Sequence, residues 1–158
     1  MSEAQEKLSD PINQWVTFKL GNETYGINVM EVQEVLRIPD IAPVPGAPDY
    51  VLGIINLRGN VVTVIDTRHK FGLMPNATDE SSRIVIIETG DQVIGILVDS
   101  VAEVVELSDS MIESAPNVGN DESSKYIQGV TSHEKQLLIL VDLNKFLGDD
   151  ELSEMGMF

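Results

Sequence analysis

Apolar and polar residues alternate near the start of the chain in the pattern of a β-strand. Val16, Phe18 and Leu20 occupy every second position, which places their side chains on one face of an extended chain. A turn at 21–23 follows, because Gly and Asn favour the backbone conformations of tight turns. The chain then continues as a second predicted strand over 24–29, so we expect an antiparallel hairpin.

Three further segments show the same hairpin pattern. Their strand pairs are predicted at 83–89 with 92–99, at 53–57 with 60–65, and at 126–131 with 136–141. Short helical segments are expected after two strands of each half, at 29–35, 66–71, 99–104 and 142–147. Asp66 and Asp142 come just before two of these segments, and we expect them to cap the helix N-termini.

The sequence contains an internal repeat. Residues 20–35 match 89–104 with an offset of 69, and residues 50–66 match 126–142 with an offset of 76. Glycines and aliphatic residues keep their register in both matches. The repeat predicts an all-β fold of two similar β-barrels with about five strands each. Neither copy is large enough to be stable alone, so the two are expected to share an apolar seam.

The repeat also suggests the domain organisation. We expect a single domain over 13–150, with one subdomain over about 13–75 and a second over about 81–148. Whether the subdomains exchange strands is left open by the sequence. A flexible N-terminus over 1–12 and an acidic tail over 149–158 are expected to flank the domain. The proline-rich stretch 37–48 is expected to be a stiff connector, with a ligand for a partner's groove as the alternative.

Charge and composition narrow the function classes. The chain has 158 residues with 10 basic and 26 acidic side chains, a net charge of −16. Such a chain is repelled by nucleic acid and by anionic lipid. There is no Cys, so disulfides and thiol chemistry are excluded. The N-terminus does not resemble a signal peptide, and the longest aliphatic run, 137–141, is too short to insert into a membrane. We therefore expect a cytoplasmic protein.

No segment of the sequence carries the pattern of an active site. Phosphate-binding glycine loops are absent, and His69 and His133 lack neighbouring residues at metal-ligand spacing. We expect no cofactor, no metal and no enzymatic activity, which favours a binding module. The alternative is a small β-barrel enzyme or ligand carrier, although bulky aliphatic side chains are expected to fill barrels of this size.

Arg58 is the clearest candidate for a binding residue. It lies at a predicted hairpin tip, and the corresponding residue of the repeat is Glu134, a reversal of charge. The fold therefore does not require Arg at this position. A surface Arg without function is the alternative interpretation.

Several segments taken together resemble the CheW family of bacterial chemotaxis coupling proteins. They are 25–27, 32–35, 53–59, 66–68, 98–101 and 137–142. The resemblance extends over about 14–148 and implies two five-stranded Src-homology-3-type β-subdomains with short helices. It implies an adaptor that couples transmembrane methyl-accepting chemoreceptors to the histidine kinase CheA, recruited from the cytoplasm to receptor arrays. The kinase and CheV-type proteins share the fold but carry further domains, for which 158 residues leave no room.

The resemblance also implies the partner surfaces. The receptor's cytoplasmic hairpin tip is expected in the groove between subdomains, and the regulatory domain of CheA is expected to pair barrel to barrel. Receptor-side positions implied in this way are Glu34, Arg58, Gly95, Val101 and Val104. Kinase-side positions are Val32, Gly53 and Gly129. The glycines are expected to act by shaping the backbone, and Gly53→Asp is expected to weaken kinase binding with the fold kept.

Overall fold

The computed structural model describes residues 10–90, 92–114 and 126–143. Ten strands dominate it, together with one short α-helix, α1 (Thr67–Lys70), and two 3-10 turns at Val29–Glu31 and Asp109–Met111. The strands are β1 (Ile12–Leu20), β2 (Glu23–Asn28), β3 (Val32–Arg37), β4 (Val51–Leu57), β5 (Asn60–Asp66), β6 (Arg83–Thr89), β7 (Gln92–Val98), β8 (Ser100–Ser108), β9 (Ile127–His133) and β10 (Gln136–Val141). The acidic tail at 149–158 and most of the predicted helix at 142–147 lie outside the described residues, as does most of the predicted flexible N-terminus.

The strands form two five-stranded sheets, which confirms the all-β fold with two similar units. One sheet has the order β8-β1-β2-β10-β9, and we call it the first sheet. The other has the order β3-β6-β7-β5-β4, and we call it the second sheet. Strands related by the repeat occupy the same places in the two sheets. Each sheet therefore consists of the first two strands of one repeat and the last three strands of the other.

This exchange of strands means that the contiguous halves 13–75 and 81–148 do not coincide with the sheets. Strands of different repeats pair in parallel, β2 with β10 and β5 with β7, and antiparallel, β1 with β8 and β3 with β6. The pairs within a repeat are antiparallel. Parallel partners cannot be joined by a tight hairpin, so they come from distant parts of the chain.

The prediction of helices at 29–35 and 99–104 is wrong. After the 3-10 turn at Val29–Glu31 the chain continues as β3, and the segment expected to be helical at 99–104 belongs mostly to β8. Both segments are rich in valine, which favours strands, and both pair with a neighbouring strand. The helix expected at 66–71 is confirmed as α1, and the Asp66 carboxylate caps it by accepting a hydrogen bond from the His69 backbone N–H.

Apolar residues on the two faces of the strands fill three separate clusters. In β6, Ile84 and Ile86 pack within the second sheet's own core, while Val85 and Ile87 pack into a central cluster. That central cluster also takes Phe18 and Ile27 from the first sheet. The first sheet has its own core around Trp15. The apolar seam expected between the repeats is therefore present, and it explains why β6 is apolar on both faces.

Candidate functional site

The Arg58 side chain lies at the tip of the β4–β5 hairpin, as the sequence predicts. Its Nη2 donates to the Glu34 Oε2 at 3.0 Å. Glu34 belongs to β3, at the far edge of the same sheet, so the hairpin tip curls over to close one end of the barrel. The Arg58 side chain is 70% exposed and that of Glu34 is 27% exposed. Their ion pair is thus available to a partner at the surface.

The backbone of Arg58 has an unusual conformation for a residue with a side chain. Its φ is +52°, and Gly59 follows with a φ of +88°, so both central residues of the two-residue turn are left-handed. Such turns favour Asn, Asp or Gly at the first position. The corresponding tip has Glu134 and Lys135 in the same conformation, so it is a feature of the hairpin in both repeats.

The corresponding tip of the β9–β10 hairpin carries a different set of groups. The His133 Nε2 lies 3.3 Å from the Glu103 Oε1 and 3.9 Å from the Glu134 Oε1. Glu103 corresponds to Glu34 and Glu134 corresponds to Arg58, so an ion pair in one unit is matched by two carboxylates and an imidazole in the other. Sequence spacing missed this cluster, because Glu103 and His133 are 30 residues apart. Alignment of the repeats could have identified the cluster, because it places Glu103 and Glu134 at the positions of Glu34 and Arg58.

Exposed aliphatic side chains also recur at corresponding positions of the two units. Val35 corresponds to Val104, and Val61 corresponds to Leu137; all four are exposed, with Val61 at 70% and Leu137 at 52%. Apolar side chains that stay exposed at the same place in both repeats are typical of a surface that binds a partner.

The other predicted site residues are more enclosed. Val32 and Val101 are partly buried against the central cluster. Gly95 is buried in β7, where an added Cβ would lie 2.8 Å from the Ile84 side chain. Val101 and Val104 lie on β8, in the other sheet from Glu34 and Arg58. The structure thus brings Glu34 and Arg58 into contact, while Gly95 lies in the core.

Gly53 and Gly129 allow another segment of the chain to approach closely. An added Cβ at Gly53 would lie 2.2 Å from the Ala42 carbonyl oxygen, and one at Gly129 would lie 2.9 Å from that of Glu113. The expectation that Gly53→Asp keeps the fold is therefore wrong, because any side chain at this position displaces backbone. The variant does not test kinase binding separately from folding.

A second ion pair joins segments that are far apart in the sequence. The Arg68 guanidinium, at the start of α1, donates from Nε to the Asp99 Oδ1 at 2.9 Å and from Nη2 to Oδ2. Asp99 also accepts from the Gly21 backbone N–H at 2.7 Å. The hydrogen bond from Arg68 holds the pKa of Asp99 below its usual value, and the Gly21 amide adds to this effect. With side-chain exposures of 15% for Arg68 and 29% for Asp99, this pair stabilises the fold.

Comparison with known proteins identifies the family of this chain. Residues 14–151 match the CheW-like domain. The chain belongs to the CheW-like domain family. It is 34% identical over 140 residues to the chemotaxis protein CheW of Klebsiella aerogenes, covering 89% of this chain and 84% of that protein. It is 36% identical over 154 residues to the chemotaxis protein CheW of Treponema pallidum, covering 94% and 90%.

A solved structure of the CheW-like family has the same fold. The crystal structure of the scaffolding protein TtCheW from Thermoanaerobacter tengcongensis superposes with a TM-score of 0.81 at 30% identity, covering 89% of this chain and 91% of that chain. The chain is therefore a chemotaxis protein of the scaffold or adaptor type rather than an enzyme. Among its described helices, none has the length and apolar character needed to cross a membrane.

Proposed function

We propose that the protein couples methyl-accepting chemoreceptors to the histidine kinase CheA, and that it is recruited from the cytoplasm to receptor arrays in this role. The observation that carries the proposal is the ion pair of Arg58 and Glu34 at an exposed hairpin tip. In this proposal the receptor's cytoplasmic hairpin tip binds the Arg58–Glu34 pair and also contacts Val101 and Val104 of this chain. Gly95 supports it by letting the core pack closely.

The chemistry of the ion pair suits a helical receptor tip that presents carboxylates and apolar side chains. A guanidinium can bind a carboxylate through two parallel hydrogen bonds, which neither Lys nor His can do. Arg58 uses Nη2 to hold Glu34, so its remaining donors can reach a partner. Within the protein, the Glu34 Oε1 has no hydrogen-bond partner among the described residues. Because this oxygen is buried, the guanidinium is the side of the pair that is open to a partner.

The proposal as a whole is tested by mixing the purified protein with a receptor cytoplasmic fragment and CheA, followed by a mass measurement of the complexes. We expect a ternary complex in which this chain contacts both partners. If it binds neither, the coupling role is wrong, and the partners of this chemotaxis scaffold must be sought elsewhere.

Arg58→His is expected to weaken receptor binding at least about tenfold, roughly 1.4 kcal/mol, and to leave kinase binding unchanged. The reason is that imidazole cannot replace the forked hydrogen bonds of Arg. Isothermal titration calorimetry with each partner separately measures both affinities. The thermal midpoint should change little, because an exposed ion pair contributes only about 0–1 kcal/mol.

Two outcomes would count against the receptor assignment. Normal receptor binding by the variant would mean that the hairpin tip is not the docking site. A large drop in thermal midpoint would mean that Arg58 acts within the fold, through Glu34. Glu34→Gln serves as the matched control, since it removes the internal partner and keeps the guanidinium.

For the kinase, we propose barrel-to-barrel docking near the β4–β5 hairpin. The implied positions Val32, Gly53 and Gly129 support this contact from beneath the surface, because Val32 is partly buried and the glycines hold close backbone approaches. An exposed apolar side chain on the same hairpin as Gly53 is Val61, which pairs with Asn56 across it. Its exposure gives the CheA regulatory domain an apolar contact.

Val61→Asp is expected to weaken CheA binding by about tenfold or more, because a carboxylate would be buried without a partner. Stability should remain within about 0.5 kcal/mol of wild type, as expected for an exposed position. Leu137→Asp is the matched variant at the corresponding place in the other unit. Surface plasmon resonance with the regulatory domain compares the two, and equal losses or no loss from Val61→Asp would contradict docking at the β4–β5 end.

A further inference from the structure

The hairpin tip of the β9–β10 pair gathers three side chains that can bind a metal ion. One oxygen each from Glu103 and Glu134 and one nitrogen from His133 all lie within 4.8 Å of one another. His133 Nε2 is the central atom, 3.3 Å from Glu103 and 3.9 Å from Glu134. This cluster is separate from the Arg58–Glu34 pair, which lies in the other sheet.

The backbone holds these three groups in place. Glu134 and Lys135 have φ values of +51° and +66°, so the turn is tight and left-handed at both central residues. Glu103 lies where β8 shifts register against β1, and its backbone is fixed there by Thr17. The Thr17 hydroxyl donates to the Glu103 carbonyl at 2.8 Å and accepts from the Glu103 N–H at 3.0 Å.

The corresponding position of the other unit carries a positive charge. In the other unit, the Glu34 carboxylate is compensated by the Arg58 guanidinium at 3.0 Å. Here the Arg is replaced by Glu134, so two carboxylates face one another across an imidazole. The fold is the same at the two tips, but the second has Glu134 in place of the guanidinium, with Lys135 as the other central residue of its turn.

We propose that Glu103, His133 and Glu134 bind a divalent transition-metal ion, with Zn²⁺ as the representative. Zinc ligands lie about 2.0–2.2 Å from the metal in a tetrahedron, so their mutual separation is about 3.3 Å. The two distances from His133 are close to this value, and rotation of the exposed Glu134 side chain closes the longer one. Three protein ligands leave the fourth position to water.

The donor set also predicts which ions bind. One imidazole nitrogen with two carboxylate oxygens suits Zn²⁺, Ni²⁺ or Cu²⁺, whereas Mg²⁺ and Ca²⁺ prefer oxygen ligands alone. We therefore expect millimolar Mg²⁺ to leave zinc binding unchanged.

The test is a titration of the full-length protein with ZnCl₂, followed by calorimetry and by NMR of the imidazole groups. The chain has two histidines, His69 and His133. We expect one equivalent of zinc to shift the His133 resonances and to leave those of His69 unchanged. Equal shifts of both imidazoles, or no shift of His133 at millimolar zinc, would overturn the proposal.

Two variants install the residues of the sister hairpin, which this fold already accommodates. His133→Leu copies Leu57, and Glu134→Arg copies Arg58. Each should weaken zinc binding by about tenfold or more, while Glu34→Gln, in the other unit, should not change it. Zinc binding of wild-type strength in both variants would show that the metal binds elsewhere. Circular dichroism of each variant verifies that the fold is kept.

Discussion

Gly53→Ala is expected to lower the free energy of unfolding by about 3–5 kcal/mol, from steric overlap and backbone strain together. The added Cβ would lie 2.2 Å from the Ala42 carbonyl oxygen and 2.8 Å from the Ile41 side chain. That carbonyl accepts from the Ile54 N–H at 2.8 Å, and Ala42 N–H donates back at 2.9 Å. The φ of Gly53, +153°, adds strain for any other residue. The methyl group therefore breaks a bridge between two backbone segments.

Urea denaturation followed by the fluorescence of Trp15, the single tryptophan of the chain, measures this loss. Gly129→Ala should cost less, because its added Cβ keeps 2.9 Å from the nearest carbonyl and otherwise meets the Ile112 side chain at 2.6 Å. Gly59→Ala is the control for backbone strain without overlap, since its φ of +88° also disfavours a side chain but nothing lies within 4 Å of its added Cβ. If Gly53→Ala were no less stable than Gly59→Ala, the close approach of Ala42 would be wrong.

Asp99→Asn is expected to lower the free energy of unfolding by about 2–3 kcal/mol at neutral pH, the range for hydrogen bonds to charged groups. The substitution removes the charge that holds the Arg68 guanidinium, whose side chain is far less exposed than that of Arg58. The exposed pair of Arg58 and Glu34 provides the contrast, because Glu34→Gln should cost less than about 1 kcal/mol. Chemical denaturation of the two variants in parallel compares the pairs.

The loss of stability caused by Asp99→Asn should become smaller as the pH falls. The folded pKa of Asp99 is lowered, mainly by Arg68 and also by the Gly21 amide, relative to its ordinary value of 3.8. Its stabilisation is therefore complete above that value and is lost as the pH falls through the lower, folded pKa. The gap in stability between wild type and variant should shrink in acid.

Glu31 contributes a pH dependence of the opposite sign. Burial and the nearby Asp142 raise the pKa of its carboxyl group, so stability from this group is lost as the pH rises through that raised value. Wild type and the Asp99→Asn variant both carry Glu31, so its contribution cancels in the difference between their stabilities. A gap that stays constant from neutral pH to about pH 2 would mean that the charge of Asp99 does not stabilise the fold.

Local sequence patterns were enough to predict the hairpins and their tips. The turn at Arg58 and Gly59 and the Asp66 cap of α1 depend on residues within a few positions of one another. The helical expectation failed at β3 and β8, because each of these segments pairs with a strand more than 40 residues away. An isolated segment of valines and acidic residues carries no information about that partner.

The candidate site was likewise predicted from the sequence only in part. The charge reversal between Arg58 and Glu134 singled out Arg58 as a candidate binding residue from the repeat alone. The carboxylate that lies against each tip, Glu34 or Glu103, is defined only by the tertiary structure. The same holds for Gly53, whose close contact with Ala42 follows from packing rather than from its neighbours in the sequence.

By itself, the sequence determined that this protein is an all-β repeat, and its motifs resembled those of the CheW family. It did so because alternation, turns and repeated motifs are local properties of a chain. Only the tertiary structure decided that each sheet takes strands from both repeats and that distant charged side chains meet at the barrel ends. Those outcomes depend on the burial of two-faced strands such as β6 between the central cluster and the core of their own sheet, which is a property of the whole fold.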